Sequence, residues 1–219
     1  LTQKISNILA TLYVFIGSKW FFGSFITLFI LQAAWLAWSM GYPQAFDEQY
    51  HLGIIQFFSH QLSPFIGSQP TSADQYGPLL RTPSYLYHYL LSFPYRVITH
   101  FTDSQMAVII AFRFLGIAMF TSGLFVFKRL LQTIGISKQL TNMSLAFVAF
   151  LPVMPLLAAQ LNYDNLLFPM TGLCFLLAHK ILTRIKEDRT LPLQSTVWFL
   201  TLGMLTSLVK YPFVPIFAA

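Results

Sequence analysis

Charge is scarce in this chain. Of its 219 residues only 9% are Asp, Glu, Lys or Arg, against 56% apolar, whereas a soluble domain carries about a quarter charged residues. That deficit excludes a water-soluble enzyme, and it equally excludes a disordered tail, which is poor in apolar residues. Cysteine is nearly absent: Cys174 stands alone, so neither a disulfide framework nor a cysteine-rich zinc site can be built. Eleven glycines and twelve prolines without a period exclude collagen-like and low-complexity readings. Also missing are a Gly-rich phosphate loop, an HExxH pair, a nucleophile elbow and an internal repeat. What the chain has instead is apolar length, with a mean hydropathy of +0.63. It begins at Leu1 and ends at Ala219 inside an apolar run, and so reads as a piece, the N-terminal part of a longer membrane domain.

Crossing a bilayer takes about 20 apolar residues. Stretches of that kind run over Trp20–Met40, Ser104–Phe127, Thr141–Ala159, Leu166–Ile181 and Ser195–Ala219. The fold class expected is therefore all-α, a multi-pass bundle with about five spans in residues 1–219. The first run has no charge, places Trp20, Trp35 and Trp38 near its ends as interfacial anchors, and is too long for a cleaved signal peptide. With the N-terminus in the cytoplasm, nine of the thirteen basic residues fall inside, namely Lys4, Lys19, Lys128, Arg129, Lys138, Lys180, Arg184, Lys186 and Arg189. Five of the seven acids, Asp47, Glu48, Asp74, Asp103 and Asp164, then fall outside. The positive-inside rule selects this orientation. The net charge of +6 accordingly reflects topology, not nucleic-acid binding. No N-x-S/T sequon lies on the outer side, which points to a bacterial plasma membrane rather than an endoplasmic reticulum membrane.

Residues 41–103 form a long external loop, aromatic-rich and half apolar, in which His51–Gln61 and Ser84–Phe101 have the pattern of short amphipathic helices lying on the outer membrane surface. Its beginning holds the chemistry: Phe46-Asp47-Glu48-Gln49-Tyr50-His51-Leu52-Gly53. A helix starting near Asp47 sets Asp47 and His51 on one face, with Glu48 about a quarter-turn aside. A carboxylate against an apolar wall holds its proton more tightly, and a neighbouring carboxylate adds to this, which suits a general base. The same oxygens suit Mg²⁺ or Mn²⁺. The plainer alternative has Asp47 capping a surface helix and Glu48 solvated.

Asn162-Tyr163-Asp164 marks a second acidic turn that returns to the same side of the membrane, so that Asp47 and Asp164 are the pair to consider for a divalent ion. Arg113 stands nine residues after Ser104, roughly 13 Å into its span at the helical rise. A charge at that depth is a functional-site hypothesis, and its sign calls for an anion, either a lipid phosphate or one of the carboxylates. Lys210, beside Pro212 and Pro215, is a weaker case of the same kind because lysine can snorkel. Arg81, in Tyr76-Gly77-Pro78-Leu79-Leu80-Arg81-Thr82-Pro83-Ser84, belongs either to a substrate-shaping loop or to a helix entry. His60, His88, His100 and His179 show no ligand spacing, and Cys174 reads as packing.

The run Phe46-Asp47-Glu48 with His51 and Gly53 resembles the acidic motif in the first external loop of the GT-C superfamily, multi-pass glycosyltransferases that use polyprenyl-phosphate sugars. Protein O-mannosyltransferases carry a similar FDE-x-x-H-x-G run. Gln56, Pro78, Thr82-Pro83 and Leu86-Tyr87 are similar to features of the dolichyl-phosphate-glucose glucosyltransferases. Ala111-Phe112-Arg113-Phe114-Leu115-Gly116, running on to Phe127-Lys128-Arg129-Leu130, resembles a helix common in these enzymes, and Asn162-Tyr163-Asp164 their second acidic loop. The stretch Tyr76 to Arg81 lacks the His-Pro-Pro of the O-mannosyltransferases, and uncharacterised bacterial membrane proteins with a DE motif match as well.

The resemblance implies an inverting transfer of a sugar from a dolichyl- or undecaprenyl-phosphate donor to a hydroxyl on a glycan, lipid or protein at the non-cytoplasmic face. Asp47 would be the base and Glu48 its catalytic neighbour. His51, Tyr163 and Arg81 would bind substrate, Arg113 and Lys210 the lipid phosphate, and Asp47 with Asp164 a divalent cation if one is used. A transporter, or a non-catalytic scaffold of a membrane complex, is the alternative from another class. The absence of an inverted repeat and the clustering of ionisable groups at one face speak against transport.

Overall fold

A computed structural model describes residues 2–45, 47–65, 76 and 84–218. Arg81, with the turn around it, and Phe46 lie outside the described residues. All regular structure among the described residues is helical, and no strand occurs. In chain order the α-helices are α1 (Thr2–Ile16), α2 (Lys19–Ser39), α3 (Glu48–Ser59), α4 (Leu86–Phe101), α5 (Gln105–Thr133), α6 (Lys138–Ala149), α7 (Val153–Ala158), α8 (Asp164–Asp188), α9 (Leu193–Val209) and α10 (Val214–Ala218).

Serines set several of the starts. Ser18 accepts from the Phe21 N–H, Ser104 from Ala107 and Ser137 from Leu140, each filling one of the donors that a helix N-terminus leaves open. Three of the helices, α2, α5 and α8, are long and apolar enough to cross a membrane. At 1.5 Å per residue they reach about 32, 44 and 38 Å, against a hydrocarbon core of about 30 Å. Trp20, Trp35 and Trp38 of α2 are all largely exposed, as lipid-facing anchors must be.

Two of the five expected spans are not continuous helices. The stretch Thr141–Ala159 breaks after Ala149 and resumes at Val153, because Pro152 has no N–H to continue the ladder. Ser195–Ala219 stops at Val209. Lys210 there is extended, and Pro212 sits in a 3₁₀ turn, Tyr211–Phe213, before α10. The fourth expected span is instead longer than the apolar run and holds Pro169 within it.

An aromatic ladder joins the long helices: Phe29 of α2 stacks on Phe120 of α5, Phe120 on Phe168 of α8, and Phe168 on Phe127, at 5.4, 4.7 and 4.7 Å between ring centroids. A second apolar cluster closes one end, where Leu52 and Ile55 of α3 and Tyr87 and Leu91 of α4 pack on Val108, Ile109 and Phe112 of α5 and on Leu161 and Val209. The expected amphipathic helices α3 and α4 thus pack one face on the end of the bundle, while Leu90, Phe93, Val97 and Phe101 of α4 stay exposed.

Where α5 meets the turn before α8, the chain needs a residue without a side chain. A Cβ on Gly116 would stand 2.7 Å from Asn165 Nδ2 and 3.0 Å from the Ala158 carbonyl oxygen, and Asn165 itself donates to the Gln160 carbonyl at 3.0 Å. Gly116→Ala should lower the unfolding free energy of the detergent-solubilised protein by about 1–3 kcal/mol, the usual range for overpacking. Unchanged stability would contradict this packing.

Candidate functional site

The end of the bundle that holds α3 and α4 is organised around Arg113. Its side chain is fully buried, as is that of Glu48. The guanidinium meets the carboxylate with both edges of its fork: Nε donates to Glu48 Oε1 at 2.9 Å and Nη2 to Oε2 at 2.8 Å. Nη1 donates to the carbonyls of Ala37 (3.0 Å) and Met40 (2.8 Å), and Nη2 also to that of Gly41 (2.9 Å). Those carbonyls close the C-terminal end of α2, where unpaired acceptors and the negative end of the helix dipole favour a cation. Glu48 also accepts from the Gln44 N–H at 2.6 Å and the Leu161 N–H at 3.3 Å.

All five donors of an arginine are therefore engaged, and each Glu48 oxygen accepts twice. This corrects two expectations. Arg113 has no N–H left for a lipid phosphate, and Glu48 has no lone pair left for a substrate proton. The pair instead ties α2, α3, α5 and the Leu161 turn together.

Asp47 is differently placed. It is exposed and stands at the N-cap of α3, yet its carboxylate makes no capping hydrogen bond. Its backbone carbonyl accepts from the His51 N–H at 3.0 Å, so the two residues are one turn apart as expected. They do not share a surface, however, because His51 points inward with Glu48 and Leu52. The one-face reading of Asp47 and His51 is corrected accordingly.

His51 is 1% exposed, and its Nδ1 lies 2.8 Å from Nε2 of the fully buried His88 of α4, the rings nearly parallel at 16°. Tyr163 stands edge-on to His51 at 4.9 Å, and Tyr87 edge-on to His88 at 5.3 Å. Burial holds the His51 pKa well below its ordinary value, helped by His88 and by the positive charge of Lys210. Burial likewise drives His88 down to about 3. Both rings are neutral at physiological pH and share one hydrogen between the facing nitrogens. His88 was assigned no chemistry from sequence, since 37 positions and a change of helix separate it from His51 and no local spacing announces the contact.

The second acidic turn reaches the same place. Asp164 Oδ1 accepts from Lys210 Nζ at 2.7 Å, both side chains about a quarter exposed, and Lys210 Nζ lies 4.6 Å from the Tyr163 ring centroid. Lys210 occupies the break after α9, where the next N–H, that of Tyr211, donates to Ser84 Oγ at 2.8 Å. Partial burial raises the Tyr163 pKa, and the charges of Asp164 and Asp47 raise it further while Lys210 opposes them. Tyr163, Asp164 and Lys210 form a partly accessible layer, Asp47 is exposed at the start of α3, and His51, His88, Glu48 and Arg113 are buried.

The donor set does not fit a divalent ion. Among the described residues no three His, Cys, Asp or Glu side chains converge, and the Lys210 ammonium already neutralises Asp164. The expected Asp47–Asp164 cation site is corrected on that ground. No family model, curated protein or solved structure matches the chain.

The neutral histidine pair makes stability depend on pH. Below the ordinary histidine value of 6.5 the unfolded chain takes up protons that the folded pair refuses, so stability is complete above that pH and falls as pH drops through it. Melting temperature in detergent should decline from about pH 7 to pH 5, and His88→Gln should flatten the decline. An equally steep decline in the variant would contradict the assignment.

Proposed function

We propose that the chain belongs to an integral-membrane glycosyltransferase, transferring a sugar from a polyprenyl-phosphate donor to an acceptor hydroxyl at the non-cytoplasmic face. The observation that carries this reading is the exposed, uncapped carboxylate of Asp47 at the start of α3, whose next residue, Glu48, accepts from the Leu161 N–H just before the partly exposed Asp164–Lys210 pair. A base and a cation at the interface suit a donor whose sugar reaches water while its tail stays among the helices. The resemblance of the Phe46-to-Gly53 run to GT-C enzymes supports the same chemistry.

In this mechanism Asp47 takes the proton of the acceptor hydroxyl, and the oxygen attacks the anomeric carbon from the side opposite the phosphate. The bond from the anomeric carbon to the phosphate oxygen breaks, and its electron pair leaves with the lipid phosphate, so the configuration inverts. Lys210 exchanges its contact with Asp164 for the phosphate and stabilises the negative charge that grows on it. Tyr163 lies against Lys210 and positions the sugar, with the neutral His51–His88 pair holding the Tyr163 ring edge-on. Glu48 and Arg113 take no part in the chemistry and keep its supporting segments in register. The mechanism routes no step through a metal ion.

Sugar transfer from a panel of labelled polyprenyl-phosphate donors, measured with the full-length protein in membranes, tests this. Asp47→Asn should reduce transfer by about 10²- to 10⁴-fold, the usual contribution of a general base, with no change in melting temperature. Lys210→Met should raise the KM for the lipid donor. Full activity of Asp47→Asn, or no transfer from any donor by a well-folded protein, would overturn the proposal.

A further inference from the structure

At the opposite end of the bundle lies a groove that the proposed chemistry does not use. A cavity of about 580 Å³ opens between α5, α8 and α9. Its rim holds Arg129 of α5 and Lys180 and Arg184 of α8, with Thr133, Thr183 and His179 among them. Its inner wall is apolar, formed by Leu173, Leu177, Trp198 and Leu202. Arg184 pairs with Asp188 at 2.8 Å. Among the described residues neither Arg129 nor Lys180 has a carboxylate partner, and both are exposed.

The polar and apolar parts are ordered along the membrane normal. From Leu173 to Arg184 the helix advances about 16 Å, from the middle of α8 to the end that the positive-inside rule places in the cytoplasm. Trp198 enters from α9 and is 59% exposed, and Leu173 is 40% exposed. A ligand matching this order has a negative head at the inner membrane surface and a hydrocarbon chain running up between helices.

We infer that this groove is a binding site for an anionic phospholipid of the cytoplasmic leaflet. The headgroup phosphate sits between Arg129 and Lys180, with the threonine hydroxyls as further donors, and one acyl chain lies along Leu173, Leu177 and Trp198. Each basic side chain near a membrane surface favours an anionic lipid, and two without carboxylate partners set a preference over a zwitterionic lipid on the order of tenfold. The site is independent of the transferase reading, because it lies at the other membrane face and shares no residue with it.

Trp198 supplies a local probe. In the full-length protein with every tryptophan except Trp198 replaced by Phe, Trp20, Trp35 and Trp38 among them, and reconstituted in phosphatidylcholine vesicles, Trp198 fluorescence is quenched by brominated phosphatidylglycerol or, separately, brominated phosphatidylcholine at equal mole fraction. Phosphatidylglycerol should associate on the order of tenfold more strongly. The preference should collapse toward unity in Arg129→Gln/Lys180→Gln and persist in Arg189→Gln and in the presence of inorganic phosphate. Equal quenching by the two lipids would overturn the inference, as would displacement by inorganic phosphate. Absence of quenching by either lipid would also overturn it, showing that protein covers the groove.

Discussion

Removing two opposite charges from water into a helical bundle is costly unless every donor and acceptor between them is filled, and the Glu48–Arg113 pair meets that condition completely. Two stretches supply its backbone partners: residues 37–44, from the last turn of α2 to the loop just before Glu48, and the turn at Leu161, more than a hundred residues away. Leu52, Phe112 and Leu161 pack together beside it, and the pair fills the backbone groups that this packing takes out of contact with solvent. The ion pair therefore does for this end of the bundle what the Phe29–Phe120–Phe168 ladder does for the middle.

This arrangement divides labour between two adjacent carboxylates. Glu48 is the first residue of α3 and turns inward, where it is saturated. Asp47 stands one position earlier, off the helical face, and stays accessible without a capping bond. A base has to be reachable and unsatisfied, and an anchor has to be buried and satisfied. The same division recurs in the second acidic turn, where the Leu161 N–H reaches the buried pair and Asp164 remains in the accessible layer with Lys210. The histidine pair is buried as completely as Glu48 and Arg113 but stays uncharged, so that it adds hydrogen-bonding rigidity without adding another buried charge.

Much of the bundle was legible in the amino-acid sequence. Long apolar runs announce α2, α5 and α8, and Ser104 marks the start of α5. The broken elements were not, because hydropathy averages over Pro152 and over the Lys210 break while the hydrogen-bond ladder does not. The amphipathic helices α3 and α4 were legible as helices, but their packing on the end of the bundle was not, since their pattern fits a membrane surface and a bundle end equally well. At the site, the meeting of the Asp47 and Asp164 segments followed from topology. Arg113 was recognised as needing an anion, yet lipid phosphate and carboxylate remained equivalent until the fold placed Glu48 against it. The His51–His88 contact had no sequence signal at all, because it arises from the packing of α3 on α4.

Glu48 and Arg113 act as one structural unit, separate from the chemistry proposed at Asp47. A double-mutant cycle on unfolding free energy, with Glu48→Gln, Arg113→Gln and the double variant, tests it most directly. Each single change should destabilise by about 3–5 kcal/mol, the usual effect of leaving a buried charge unpaired. The double variant should lose little more than either one, because the partners fail together. Additive losses, or single variants as stable as the parent protein, would contradict the account.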